Sequence, residues 1–160
     1  GGLFRQCGAG GYGQLVKEIA EILGYRKIRF LDDNLPIAIG KLNDIDVLQD
    51  SYDETIVAIG NPLVRSQNLL KLKNPTTLIH PSAVISKSAE VKKGVVIEAN
   101  CVVSASAKVY EGSFICTGAV VNHNAVVNKC CQIDCNAVVS AFSKVPDGKK
   151  VASCEVWKNI

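Results

Sequence analysis

The sequence predicts a small α/β domain followed by a parallel β-helix of hexapeptide repeats. Three observations support this fold class. The first 73 residues mix helix and strand patterns, a glycine-rich loop near the N-terminus precedes a helix, and the chain repeats every six residues from residue 78 onward. We therefore predict one domain at residues 1–74 and a second at residues 75–160.

The first domain is predicted to alternate strands with helices. Two strands and two helices are expected, at residues 27–34 and 54–62 and at residues 13–25 and 63–73. Gly24 suits the end of the first helix. Residues 3–7, Leu-Phe-Arg-Gln-Cys, make a poor pattern for a first buried strand because two polar residues interrupt it. Only about 75 residues precede the repeats, enough for one βαβαβ half of a Rossmann fold.

The second domain is defined by its hexads. The second position of each hexad is aliphatic in thirteen successive repeats: Ile79, Ile85, Val91, Ile97, Val103, Val109, Ile115, Val121, Val127, Ile133, Val139, Val145 and Val151. The fifth position is mostly small, and Phe142 is its one bulky exception. Each hexad predicts a short strand and a corner, and three hexads form one coil of 18 residues. Aliphatic residues 18 apart then stack on one another.

The glycine-rich loop is a candidate phosphate site. It fits G-x-G-x-x-G at residues 8–13 and is followed about twenty residues later by two acids, so the residues of interest are Gly8, Gly10, Gly11, Gly13, Asp32 and Asp33. Glycines let backbone N–H groups approach a phosphate, and the helix N-terminus favours its charge. A tight turn without a ligand is the alternative. Because a dinucleotide needs two βαβαβ halves, one nucleotide is expected rather than NAD.

His123 has three possible roles: metal ligand, turn residue or general base. The chain has only two histidines and no C-x-x-C pair, so no metal site is expected. His123 lies two residues beyond the inward-facing Val121, near a corner of the coil. Its stacking neighbours 18 residues away are Ala105 and Ala141, and these small residues predict an open notch beside the imidazole. An imidazole at such a notch suits a base.

The composition of the chain narrows the classes of protein to which it can belong. A formal charge of +3 and the lack of a basic run argue against nucleic acid, and no apolar stretch approaches the length of a membrane span. The seven cysteines are unevenly spaced and mostly replace small residues of the hexads. We therefore expect reduced thiols, a cytoplasmic location and no membrane insertion.

The motifs GAGGYG, LDDN, AIGN and LIHPSAVIS, together with the hexads, resemble those of bacterial hexapeptide-repeat sugar acetyltransferases. That family acts on UDP-linked amino sugars or on sialic acid. The resemblance implies a left-handed β-helix, a homotrimer, acetyl-CoA as co-substrate and transfer to an amine or hydroxyl, with a UDP-4-amino sugar favoured. It also implies sugar-nucleotide contacts at the loop residues above and at Gly60, Asn61 and Arg65, with His123 as the base.

The chain departs from this family pattern in three places. Asn124 follows the base where the family usually has a carboxylate, and Gln132 stands where a histidine often assists acetyl-CoA. Gln132 and Ala141 are the two residues expected to contact this cofactor. The repeats also reach Trp157 after little more than four coils, so Trp157 either plugs the β-helix or marks a truncated C-terminus. A catalytically impaired nucleotide-sugar-binding or scaffold protein of the same fold is therefore the alternative function.

Overall fold

The chain divides into two units, Gly1–Thr76 and Thr77–Ile160. A computed structural model describes residues 3–48 and 51–159. The division falls two residues after the boundary expected from the sequence. Each unit builds its own architecture from a different period of apolar residues.

The first unit contains a three-stranded parallel sheet. Its strands are β1 (Leu3–Cys7), β2 (Lys27–Leu31) and β3 (Glu54–Val57), in the spatial order β2-β1-β3. The weakly predicted first strand is thus the central one, and it pairs in parallel with both neighbours. Parallel strands place their carboxyl ends at one edge of the sheet, so the loops that follow the three strands share that edge.

Helices connect these strands. They are α1 (Gly11–Ile22), a 3₁₀ turn (Leu42–Asp44), α2 (Ile45–Leu48) and α3 (Pro62–Leu69). Helix α1 packs through a buried apolar face that includes Val16 and Ile19. The sequence predicted α1 and α3 but not the 3₁₀ turn or α2, since one turn of helix is too short to show a period.

The second unit is a parallel β-helix. Among the described residues its two-residue strands are β4 (Leu78–Ile79), β5 (Val84–Ile85), β6 (Glu90–Val91), β7 (Val96–Ile97), β8 (Val102–Val103), β9 (Lys108–Val109), β10 (Phe114–Ile115), β11 (Val120–Val121), β12 (Val126–Val127), β13 (Gln132–Ile133), β14 (Val138–Val139), β15 (Lys144–Val145), β16 (Lys150–Val151) and β17 (Val156–Trp157). Every third strand pairs, which gives three sheets of five, five and four strands. The predicted fold class, a half-Rossmann α/β domain followed by a left-handed β-helix, is confirmed.

The strand register equals the predicted coil length. Ile115 pairs with Ile97 on one side and with Ile133 on the other, so each step is 18 residues. The inward residues are almost all fully buried and form one continuous core along the coil axis. Trp157 stacks beside Val139 at the last described strand and packs against this core. Each coil therefore buries its apolar side chains against the next coil.

The corners also follow the six-residue period. A left-handed backbone conformation recurs every sixth residue at Gly94, Asn100, Ser106, Gly112, Gly118, Asn124, Cys130, Asn136, Phe142, Gly148 and Cys154. This is the fifth hexad position, which explains why small residues, glycine and asparagine dominate it. The corners carry side chains outward without disturbing the core.

We expect Ile115→Ala to destabilise the β-helix strongly. Ile115 is fully buried at the centre of its column, so truncation should cost about 2–5 kcal/mol through lost burial and a residual cavity. Urea-induced unfolding followed by circular dichroism would measure this. Lys108→Ala, on the outward side of β9, is the matched control and should change stability by less than about 0.5 kcal/mol. Equal losses in both variants would argue against a column-stacked core.

Candidate active site

The predicted binding residues of the first unit lie in the loops that follow the three strands or in the first turns of α1 and α3. The loop after β1 holds residues 8–10, Asp32 follows β2, and Gly60 follows β3. Because the three strands are parallel, these loops extend from the same carboxyl edge. The topology thus brings together all three groups of residues that the sequence selected.

The four glycines of the loop serve two different purposes. Gly8 has φ of 102°, and an added Cβ would lie 2.7 Å from the Ala58 carbonyl oxygen. A Cβ at Gly13 would collide with the Gly8 carbonyl. Gly10 and Gly11 have no heavy atom within 4 Å of an added Cβ. Packing therefore requires glycine at positions 8 and 13, whereas positions 10 and 11 border open space.

Gln6 supports this loop from below, a role that the sequence did not reveal. Its side chain is fully buried, and its Nε2 donates to the carbonyls of Gly8 at 2.9 Å and of Gly13 at 2.5 Å. A buried amide that satisfies two loop carbonyls holds both ends of the turn together. The polar residue that weakened the first strand pattern is thus part of the loop's support.

Asp32 connects the glycine loop to the end of β2. Its Oδ2 accepts from the Ala9 N–H at 2.9 Å, and its Oδ1 accepts from the Asn34 and Leu35 N–H groups at 2.9 and 3.1 Å. Partial burial acts to raise the pKa of this carboxyl, but these hydrogen bonds and the nearby positive charge of Lys41 outweigh it. The pKa of Asp32 therefore lies below its usual value, and the side chain is a charged anchor for the loop.

Asp33 points to solvent in the same loop. It is exposed, and its Oδ1 accepts a hydrogen bond of 3.1 Å from the Leu42 N–H. The carboxylate thus steadies the residues that lead into the 3₁₀ turn. Of the two acids, Asp33 is the one whose side chain is open to a ligand.

Asn61 and Arg65 shape the loop after β3. The Asn61 side chain caps α3 by accepting from the Leu63 and Val64 N–H groups at 3.0 and 3.1 Å. Arg65 is fully buried, and its Nη1 donates to the carbonyls of Ile59 and Gly60 at 2.7 and 3.0 Å. Both polar side chains therefore support the backbone around Gly60. An added Cβ at Gly60 meets no heavy atom within 4 Å, so this loop borders open space as well.

In the second unit, His123 lies in the corner between β11 and β12. The corner is a turn closed by a 3.1 Å hydrogen bond from the Ala125 N–H to the Asn122 carbonyl, and Asn124 adopts φ of 58° at its third position. The His123 side chain is exposed. Its Nδ1 lies 3.1 Å from Asn124 Oδ1. In the tautomer whose Nδ1 carries the proton, Nδ1 donates to this amide oxygen and Nε2 keeps its lone pair. An imidazole arranged in this way can take a proton from an amine or hydroxyl group that approaches Nε2.

The notch beside His123 has an aromatic wall that the sequence did not predict. Ala105 and Ala141 do flank the histidine in the 18-residue register. However, the Phe142 ring meets the His123 ring edge-to-face, with centroids 5.3 Å apart and an interplanar angle of 90°. The sequence marked Phe142 as an exception in its hexad. The sequence alone could not show the contact between Phe142 and His123, because the stacking of adjacent coils is what brings these two residues together.

Gln132 and Ala141 occupy different parts of the coil surface. Gln132 lies on the outward side of β13, half-buried, and Ala141 is half-buried in the corner after β14. His80, the second histidine, lies in a turn where its Nδ1 accepts from the Ser82 N–H at 3.0 Å. Its side chain therefore has a local structural partner.

Three buried thiols of the β-helix, those of Cys101, Cys116 and Cys131, are poor nucleophiles. Burial raises the pKa of Cys101 and Cys131 to about 11, and it raises the pKa of Cys116 as well. The described cysteine side chains, those of Cys101, Cys116, Cys130, Cys131, Cys135 and Cys154, form no disulfide. A protonated, buried thiol does not favour a covalent acyl-enzyme step.

Metal sites and membrane-spanning helices are both absent from the part of the chain that the structure describes. Residues 3–48 and 51–159 hold no group of three or more His, Cys, Asp or Glu side chains arranged to bind a metal ion. Within the same residues, no helix combines the length and apolar character that crossing a bilayer requires.

Comparison with known proteins adds to this geometry. Residues 7–72 match the PglD N-terminal domain family. The acetyltransferase domain of PglB from Neisseria gonorrhoeae FA1090, solved with acetyl coenzyme A, is similar over 96% of this chain and 80% of its own. The two sequences are 29% identical, and the TM-score is 0.88. The resemblance to hexapeptide-repeat sugar acetyltransferases is confirmed.

A more distant likeness concerns the fold alone. A mutant of perosamine N-acetyltransferase from Caulobacter crescentus, in complex with CoA and GDP-perosamine, matches with a TM-score of 0.73 at 20% identity. The similarity covers 97% of this chain and 90% of that one. The comparison with curated protein sequences finds no match.

We expect Gly13→Ala and Gly11→Ala to differ sharply in stability. The new methyl group at position 13 would collide with the Gly8 carbonyl, whereas the one at position 11 would meet open space. Gly13→Ala should lower the midpoint of thermal unfolding of the first unit by several degrees, and Gly11→Ala should leave it within about one degree. Differential scanning calorimetry of both variants would show this. Equal shifts would mean that the loop is not packed as described.

Asp32→Asn should destabilise the protein in a pH-dependent way. A lowered folded-state pKa means that the carboxylate contributes stability above its unfolded pKa of about 4, and that this contribution is lost as the pH falls through the folded value. The variant should therefore be less stable than wild type at pH 7, with the gap shrinking below about pH 4. Urea midpoints at pH 7 and pH 3 would test this, with the exposed Asp46→Asn as control. A gap independent of pH would exclude the charge as its cause.

Proposed function

We propose that this protein is an acetyl-CoA-dependent acetyltransferase that transfers an acetyl group to a nucleotide-linked sugar, with His123 as the general base. One observation carries the proposal: the His123 imidazole is exposed and its Nδ1 lies 3.1 Å from Asn124 Oδ1, an arrangement in which Nδ1 can donate and Nε2 can accept a proton. The likeness to the PglB acetyltransferase domain, solved with acetyl coenzyme A, supports the donor.

The chemistry needs one proton acceptor at this corner. The amine or hydroxyl of the sugar attacks the thioester carbonyl carbon, the new C–N or C–O bond forms, and the C–S bond breaks to release CoA as thiolate. His123 Nε2 takes the proton that the acceptor loses, and this proton then neutralises the thiolate. A positioned base of this kind contributes about a factor of 10²–10⁴. Asn124 fixes the tautomer and orientation of the ring.

The first domain, residues 1–74, is proposed to bind the nucleotide part of the acceptor. The open positions at Gly10 and Gly11 would let a phosphate approach the backbone N–H groups at the start of α1. Asp33 and Gly60 border the same edge of the sheet and would complete the contacts. Gly8, Gly13, Asp32, Asn61 and Arg65 are assigned to shaping these loops, because packing or backbone hydrogen bonds already engage them.

The second domain, residues 75–160, is proposed to act as a homotrimer. The outward positions of one sheet form a column of five valines, Val84, Val102, Val120, Val138 and Val156. The two end residues are 62% and 66% exposed. A continuous apolar column on a β-helix face is a surface that another copy would cover. The His123 corner follows β11, so acetyl-CoA would lie beside this face, near Ala141, and Gln132 on β13 of a different sheet is its second proposed contact.

The acceptor favoured here is a UDP-linked 4-amino sugar, as the family resemblance implies. The free thiols of the described cysteines, four of them buried, and a small-molecule donor and acceptor fit a cytoplasmic enzyme. The replacement of a family carboxylate by Asn124 favours the second candidate, a nucleotide-sugar-binding protein with impaired transfer.

Thiol release from acetyl-CoA would test the proposal. The wild-type protein should release CoA with one acceptor from a panel of UDP- and GDP-linked amino sugars and sialic acid. His123→Ala should lose at least about a hundredfold in kcat, because the proton acceptor is gone.

His80→Ala is the matched control, since His80 is the other histidine and its side chain bonds to Ser82 within its own turn. It should retain activity within about threefold. Unchanged turnover in His123→Ala would remove His123 from its role. Nucleotide-sugar binding without turnover for any acceptor would favour the non-catalytic candidate.

A further inference from the structure

Phe142 occupies a corner position at which the β-helix does not require an aromatic side chain. It adopts φ of 61° at the third position of a turn closed from the Ser143 N–H to the Ser140 carbonyl at 3.1 Å. The equivalent positions of the other corners hold only glycine, asparagine, serine or cysteine. A bulky side chain is rare in this conformation. The residue is also 59% exposed, so burial within the described chain does not explain the aromatic side chain.

Phe142 contacts His123 through both its side chain and its backbone. The two rings meet edge-to-face at 5.3 Å, and the Phe142 N–H donates to the His123 carbonyl at 3.3 Å. The Oδ1 atom of Asn124 lies 3.1 Å from Nδ1 of the same imidazole. The imidazole is thus restrained by one hydrogen bond and one ring contact from two adjacent coils.

We propose that Phe142 is a positioning residue that keeps the His123 imidazole in the orientation in which Nε2 faces the acceptor. A single hydrogen bond to an exposed ring leaves the ring able to pivot about that bond. The edge-to-face contact removes this freedom, because a pivot would break it. The catalytic part of the inference rests on the proposed role of His123 as base. Phe142 acts through His123 and not on the reacting atoms.

Three variants test this. Phe142→Gly removes the ring and also relieves the left-handed backbone, so the protein should become slightly more stable to heat. Phe142→Tyr keeps the ring. Cys154→Gly is the matched control, because Cys154 is exposed, has φ of 62° and belongs to a different column of corners. It should gain stability in the same way without affecting His123.

The first readout is the NMR spectrum of the His123 ring protons, which needs no substrate. The Phe142 ring current should shift these protons in the wild-type protein. The shift should disappear in Phe142→Gly and persist in Phe142→Tyr and Cys154→Gly. Unchanged His123 signals in Phe142→Gly would overturn the proposal.

The second readout is the transfer reaction. Phe142→Gly should lower kcat about 3- to 10-fold while the KM of the acceptor stays within about twofold, and Phe142→Tyr should restore kcat. A wild-type kcat in Phe142→Gly would overturn the positioning role, because the imidazole would then be oriented equally well without the aromatic ring beside it. If the wild-type protein transfers acetyl to no acceptor, the proposed function fails, while the NMR readout still decides whether Phe142 holds the imidazole.

Discussion

The stacking of aliphatic side chains at an interval of 18 residues is the constraint on which the β-helix depends. Each strand has only two residues, one facing inward and one outward, so no strand has a core of its own. Burial comes from the coils above and below, and a shift of one residue would turn every aliphatic side chain to solvent. The corners must then bend at fixed positions, and from Gly94 onward a left-handed residue occurs at every sixth residue. The remaining corner positions are free to carry polar or aromatic residues.

The sequence predicts those parts of the fold that a repeated pattern of residues encodes, and it does not predict those that depend on particular side-chain contacts. The hexad pattern predicts the β-helix and its register because the period is repeated along half of the chain. The central strand β1 gave a weak signal because Gln6 is fully buried yet polar. Its hydrogen bonds go to the loop that follows it, and no pattern of hydrophobicity encodes such a partner. The contact between His123 and Phe142 was hidden for a related reason: it depends on the coil register and on one positive φ together.

In the loops of the first unit, some residues of the predicted binding motifs shape the backbone and others border open space. Positions 8 and 13 are glycine because neighbouring backbone occupies the space of a side chain, whereas positions 10 and 11 are not filled by the protein. Arg65 and Asp32 look like ligand-binding residues in the sequence, since both are charged and follow strands. In the structure their charges face backbone groups, with Arg65 on carbonyls and Asp32 on N–H groups. A charge that is engaged by backbone groups within a loop fixes the loop's shape, and in the proposed function the loop backbone is then what would contact the ligand.

The backbone strain at Phe142, set against the energy of its contact with His123, favours a functional explanation for this phenylalanine over a structural one. A left-handed conformation at a residue with a side chain costs about 1–2 kcal/mol, and asparagine tolerates it better than most residues. Asn124 therefore satisfies the backbone and orients the imidazole with one side chain, which a glutamate at the same position would do less easily. Phe142 has no such local advantage. Its edge-to-face pair with His123 contributes about 0.5–1.5 kcal/mol, which at best offsets the backbone strain, and most of the ring remains in water. Stability alone does not account for this phenylalanine, whereas the orientation of an exposed imidazole does.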